Sequence, residues 1–178
     1  MSREVRRVPA DWKHPEKSPG RYEPLFEGEP DLDEQIEQWH KNDELWKAGK
    51  HPAQHDPKYP SAARCENFED WDGGPPNPDD YMPFWPLEQR THYQMYETTT
   101  EGTPISPVMA SPEELARWLA DNKASAFGDC TASYEDWLSM IRGPGWAMSG
   151  AIIQTPNGRA MVSGVVAMAI NEREKNNG

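Results

Sequence analysis

Apolar residues recur at helical spacing in three stretches of the chain and alternate in a fourth. In "DLDEQIEQWHKNDELWKAGK", Leu32, Ile36, Trp39 and Trp46 fall on one face of a 3.6-residue helix. The spacing predicts a helix near 31–48. Asp31 and Glu34 stand in capping-box positions behind Pro30, and Gly49 supplies the stop. Asp43 interrupts the stripe, so this helix docks along a narrow edge. In "THYQMYETT" the alternation predicts a strand over 91–99, with Tyr93 and Met95 on one face and His92, Gln94 and Tyr96 on the other. Aromatic rings on both faces imply that each is at least partly covered.

Two helices follow. Ser111 is an N-cap, Pro112 stands at the first helical position, and Glu114 lies three residues after the cap. Leu115, Trp118 and Leu119 form the buried stripe, and the helix ends near Asn122. Ser133 and Asp136 repeat the capping pattern ahead of Tyr134, Trp137, Leu138 and Ile141, and Gly143-Pro144-Gly145 ends that helix. The tail "GAIIQTPNGRAMVSGVVAMAI" reads as a hairpin turning at Pro156-Asn157-Gly158. Its second strand is short, and the small residues of 163–170 also permit a final helix.

Composition divides the chain. Thirteen of its 18 prolines lie at or before Pro86, and the stretch 50–90, including "GGPPNPDDYMPFWP", reads as irregular chain anchored by Tyr81, Phe84 and Trp85. Trp12, Trp39, Trp46, Trp71 and Trp85 fall in this half, against the aromatic-poor habit of disordered segments. The expected fold class is therefore α+β. A strand or hairpin packed by two short helices forms a compact domain over 80–178. An extended, Pro/Trp-rich, acidic region over 1–79 carries the longer helix.

Charge sharpens the function classes. The net charge is −12. The basic footprint of a nucleic-acid binder is globally absent. Arg3, Arg6, Arg7, Lys13, Lys17 and Arg21 make the opening basic, and then acidic residues run from Glu23 to Glu37 with no cation between them. Such a surface attracts basic partners. The residues singled out for partner contact are Glu27, Asp31, Asp33, Glu34, Glu37, Asp70, Asp72, Asp79 and Asp80. The competing reading of the same charge is a solvated surface that binds nothing.

The chemistry-bearing motifs are sparse. The Thr98–Ser111 connection has the outline of a phosphate loop, but Glu113 and Glu114 occupy the helix start, Pro112 removes a donor, and no lysine or arginine follows Gly102 before Arg117. A stiff strand-to-helix corner is the better description. His51, His55 and Asp56 with Cys65 lack a second ligand pair for zinc, and "DWDGGPPNPDD" lacks the spacing of a calcium loop. No metal or cofactor is expected. His92, Asp129 and Cys130 can be named as reactive types, but no triad or elbow signature orders them, so no catalytic residue is assigned. Cys65 and Cys130 are not in a paired motif. The opening "MSREVRRVPADWKHP" has no apolar run and no stretch is long enough to span a membrane, so free thiols in a cytoplasm are expected.

The pieces "YQMYETTTEGTPISPV", "SPEELARWLAD", "TASYEDWL" and "GPGWA", within Asp80 to Ala151, resemble a group of small uncharacterised proteins of bacterial viruses and prophages. The opening "REVRRVPADWKHP" is similar to theirs as well. The group carries no established activity, so the resemblance transfers no catalytic residue. It implies an accessory protein working in the cytoplasm of an infected bacterial host. Such a protein binds a host complex with a basic surface, for example a CRISPR or other nucleic-acid-handling complex, and inhibits it without touching nucleic acid or membrane itself. Two alternatives stand beside that reading: a virion or assembly protein with an N-terminal arm, and a small enzyme or nucleotide-binding protein with a cleft around His92 and Cys130.

Overall fold

The computed structural model describes residues 2–98, 102–155 and 158–176. In chain order the elements are β1 (Arg3–Val8), β2 (Glu16–Ser18), β3 (Arg21–Tyr22), α1 (Leu32–Lys47), α2 (Phe68–Asp72), β4 (His92–Glu97), β5 (Thr103–Pro104), α3 (Pro112–Asp121), α4 (Tyr134–Arg142), β6 (Trp146–Ala147), β7 (Gly150–Thr155), β8 (Gly158–Ser163) and α5 (Gly164–Asn176). The class is α+β. The chain forms two units. One combines residues 1–27 with 85–178, and the other is 28–84.

The larger unit is built on a four-stranded antiparallel sheet in the order β5-β4-β1-β6. β1 pairs with β4 along its whole length, from Arg3 opposite Glu97 to Val8 opposite His92. On one face, Val5, Met95 and Tyr93 meet a core of Leu115, Ala116 and Leu119 from α3, Trp137, Met140 and Ile141 from α4, and Val165 from α5. Fully burying a side chain of this size removes it from water at a gain of roughly 1.5–3 kcal/mol each. The facing read from the alternation of His92–Glu97 therefore holds: Met95 enters the helix-side core, while Gln94 and Tyr96 are buried on the opposite face.

That opposite face is covered by irregular chain. Trp12, His14 and Leu25 lie over it, with His14 packed against the Tyr96 ring and Arg6 stacked 4.4 Å from that ring's centroid. Arg6 also donates to the Leu25 carbonyl at 2.8 Å. Gly102 has a φ of 86°, and a Cβ there would run into the Leu25 carbonyl and the Arg6 guanidinium. The close approach of the two backbones, with the Leu25 amide donating to the Gly102 carbonyl, requires glycine.

Composition predicts a boundary at 79/80, with 1–79 outside the compact domain. The unit boundaries instead fall at 27/28 and 84/85, and β1, at the N-terminus, is an inner strand of the sheet. The reason is that its arginines are structural. Arg3 is 1% exposed, donating to the Ser125 carbonyl and hydroxyl and lying 3.7 Å from the Glu97 carboxylate. Burial lowers its pKa, and Glu97 opposes that shift.

The helix expectations for α3 and α4 agree with the structure. The Glu114 amide donates to Ser111 Oγ, the Asp136 amide donates to Ser133 Oγ, and the Ser133 amide in turn donates to the Asp136 carboxylate. In the tail, β7 and β8 form the expected hairpin, but the second strand is not short: each has 6 residues, and Gly164–Asn176 is helix. Turn residues Pro156 and Asn157 lie outside the described residues, as do 99–101 of the strand-to-helix connection.

The unit 28–84 has its own small core of Trp46, Phe68, Ala53 and Ala62, with Trp39, Cys65 and Trp71 packed against it. α1 runs where its stripe predicted, and Gly49 ends it at a φ of 65°. Asp31 makes no side-chain cap, so the expected capping box is absent there. Three short 3-10 turns and α2 organise the rest of this segment, which was read as irregular throughout. Of the three anchors expected from composition, Phe84 is 47% exposed, and Met82 is the buried side chain of that run. Among the described residues no helix is long and apolar enough to cross a membrane.

Candidate functional site

The unit 28–84 holds 14 acidic and 5 basic residues, a net of −9 out of the chain's −12. All nine residues singled out from the sequence are exposed, and they do not form one cluster. Glu27 belongs to the other unit. Asp31, Glu34 and Asp72 line one cavity of about 550 Å³. Asp33 lines a different one of about 340 Å³ with Leu32, Met82 and Phe84. Glu37 is ion-paired with Lys41 at 2.7 Å, and the bond from that ammonium lowers its pKa. Asp70 serves as the reciprocal partner of Asn67 in the capping box of α2, accepting the Asn67 amide at 3.1 Å. Asp79 and Asp80 lie in the turn Pro78–Asp80, where Asn77 accepts from the Asp79 amide.

The cavity of Asp31, Glu34 and Asp72 is also lined by Gln35, Gln38, Trp39 and Asn42. These residues share one side of α1 because 31, 34, 35, 38 and 42 follow helical spacing. That spacing is visible in the sequence, although charge alone does not single out the amides. Gln35 donates to the Asp31 carboxylate at 3.1 Å, and Gln38 donates to the Asn42 carbonyl oxygen at 3.0 Å. Trp39 is held by its indole N–H, which donates to the Gly73 carbonyl at 2.9 Å, and by packing on Phe68. None of the residues lining this groove is positively charged. Carboxylates beside an aromatic ring suit an ammonium or guanidinium group, through charge-assisted hydrogen bonds and attraction to the ring face.

The larger unit has a second cavity, of about 580 Å³, between the 12–22 segment and residues 104–108 with Trp118. Its polar floor is a connected network. Trp12 donates to the Tyr96 hydroxyl at 3.1 Å, and that hydroxyl donates to Gln94 Oε1 at 2.8 Å. Gln94 donates through Nε2 to the Ser106 carbonyl at 2.9 Å. His14 lies 3.2 Å from the Tyr96 hydroxyl through Nδ1 and 2.6 Å from the Glu23 carbonyl through Nε2. Burial pushes the Tyr96 pKa up to about 12. Burial is also the main cause that lowers the pKa of His14. Ser106 Oγ accepts the Met95 amide and donates to the Pro107 carbonyl, so it is not a nucleophile prepared by a base.

The other candidates resolve into local structural work. His92 Nδ1 bonds Thr91 Oγ1 at 2.9 Å, while exposed Cys130 closes a turn with Phe127 through backbone bonds. His51 accepts the Ala53 amide and packs on Trp46 and Phe68, and His55 bonds the Gly49 carbonyl. Among the described residues no group of three or more His, Cys, Asp or Glu side chains is placed to hold a metal ion. At the start of α3, Glu113 is paired with Arg142 and Glu114 accepts the Ala110 amide, so the acidic first turn is committed to the corner.

No protein-family model matches the chain, and neither does any curated protein or solved structure.

Proposed function

We propose that the chain acts by binding, and that the acidic unit 28–84 seats a basic segment of a partner protein in the groove of Asp31, Glu34, Asp72 and Trp39. One observation carries this reading: three carboxylates and a partly exposed indole converge on a cavity of about 550 Å³ with no cation among its lining residues. A protein surface that handles nucleic acid is basic, and an anionic groove competes for it. The resemblance of Asp80–Ala151 to small proteins of bacterial viruses supplies the setting, an accessory protein that blocks a host defence or nucleic-acid-handling complex.

The test is calorimetric titration of the full chain with an arginine-rich peptide of about ten residues, at roughly 0.05 M and 0.2 M salt. Binding is expected to weaken steeply with salt. The triple variant Asp31→Asn, Glu34→Gln, Asp72→Asn should lose it, while Asp33→Asn with Asp79→Asn and Asp80→Asn should retain most of it. Equal loss in both variants would replace a groove with diffuse surface charge. Affinity indifferent to salt would remove the electrostatic reading. Affinity capture from infected host lysate, with the groove variant as control, then identifies the partner.

A further inference from the structure

The floor of the second cavity has a hydrogen-count problem. The Glu23 carbonyl only accepts, so the imidazole nitrogen 2.6 Å from it, His14 Nε2, carries a hydrogen. In a neutral ring Nδ1 is then a bare acceptor facing the Tyr96 hydroxyl at 3.2 Å. That hydroxyl has one hydrogen and a second acceptor, Gln94 Oε1, at 2.8 Å. The Gln94 amide cannot turn over to help, because its Nε2 is held by the Ser106 carbonyl, another pure acceptor. The Trp12 N–H only donates to the hydroxyl and adds no acceptor-side relief. One hydrogen thus serves two buried acceptors, His14 at 7% exposure and Gln94 at 6%. A proton on Nδ1 would satisfy every contact, but it would place an imidazolium in a buried site on the same sheet face as the Arg6 guanidinium.

We infer that His14 is a proton-operated latch: neutral, it holds the 12–23 segment on the outer face of the sheet, and on taking up a proton it releases that segment. The groups facing it decide the direction. From β1, Arg6 opposes the charge, and Arg6 is itself bonded to Glu4 at 2.9 Å. From its own segment, the hydrogen bond to the Glu23 carbonyl and, less strongly, the Glu23 carboxylate favour the charge, but Lys17 lies 3.0 Å from that carboxylate. Glu16 is occupied by the Gly20 amide, and Lys13 lines the same cavity. From β3 and β4 come the Tyr22 and Tyr96 rings, and residues 104–108 bring no titratable group. Burial outweighs the favourable groups, and the pKa of His14 is lowered from its ordinary 6.5.

The sign follows from linkage. A histidine whose pKa is depressed in the closed state binds its proton more readily once released, so the contribution is present above about pH 6.5 and lost as pH falls below it. Release is local because, within residues 9–26, only His14 and Leu25 are buried, whereas α3 and α4 sit on the separate helix-side core. Opening removes the wall of the cavity formed by Trp12, His14 and Tyr22 and bares Gln94 and Tyr96.

Amide hydrogen exchange of the full chain at about pH 7.5 and about pH 5, corrected for intrinsic rates, tests this. Protection of residues 12–23 is expected to fall several-fold at the lower pH while α3 and α4 keep theirs, and His14→Gln should abolish the pH dependence of the segment. Unchanged protection in the native chain would overturn the latch, and so would the same loss in His14→Gln, which would assign it to the carboxylates. If the variant does not fold, the imidazole resonances of the native chain decide. The latch requires the Nε2–H form at about pH 7.5 and a midpoint below that of the urea-unfolded chain. A midpoint at or above it would sink the idea.

Discussion

Trp137 shows how far a single residue can be committed to the fold. It is fully buried in the helix-side core, and its indole N–H has no hydrogen-bond partner among the described residues. Burying that donor costs something on the order of 1–3 kcal/mol, against the large apolar area the ring removes from water. The two effects separate on substitution. Trp137→Ala should cost about 3–5 kcal/mol, because it leaves a cavity beside Met95, Leu119 and Met140. Trp137→Phe should cost clearly less, since it deletes the unpaired donor while keeping a ring. Urea unfolding followed by circular dichroism measures both. A Phe variant as unstable as the Ala variant would mean that shape, not the donor, governs the site. Arg3 and Arg6 of β1 are the opposite case, polar residues whose burial is offset because their donors are met. Nothing local in "REVRRV" announces this, since a guanidinium stacked on Tyr96 or bonded to Ser125 depends on residues about 90 and 122 positions away in the chain.

Elements differ in legibility for the same reason. α3 and α4 were readable because their start signals are local: Ser111 with Glu114, and Ser133 with Asp136, each lie within one turn. Ser111→Ala and Ser133→Ala should each cost about 1 kcal/mol, seen as a lower urea midpoint at constant slope. The loss at Ser133 should be the larger, since its partner Asp136 also accepts from Arg173 at 2.6 Å and the cap is part of a wider network. Equal, negligible losses would show that packing alone holds these helix starts. α2 was missed because five residues are too few for a periodic pattern, and its Phe68 anchor becomes visible only against Trp39 and Trp46 from α1. The acidic groove was half legible. The charges on α1 were found, but separating Asp31, Glu34 and Asp72 from Asp33 and Glu37 needs the rotation of the helix and the placement of α2.

At the scale of the whole molecule, the two units have cores that share no residue: Trp46 and Phe68 centre one, and Met95, Leu119 and Trp137 the other. Two separate unfolding transitions are therefore expected, and tryptophans in both units report on them. The N-terminal strand discriminates between an arm and a structural element. β1 separates β4 from β6 and carries three side chains, Arg3, Arg6 and Val8, that are less than 5% exposed. An arm ordered only by neighbouring copies would be dispensable for the monomer's stability. An inner strand would not be, because its loss strands the backbone groups of β4 and opens the face beneath Leu25 and His14. Deleting residues 2–8 should therefore abolish the cooperative near-ultraviolet signal of the larger unit. The unit 28–84, whose Trp39, Trp46 and Trp71 do not depend on that sheet, should keep its own transition. Thermal unfolding of the native and shortened chains decides the matter. Two retained transitions would return the first residues to the status of an arm, and simultaneous loss of both would show that the acidic unit relies on the sheet to fold.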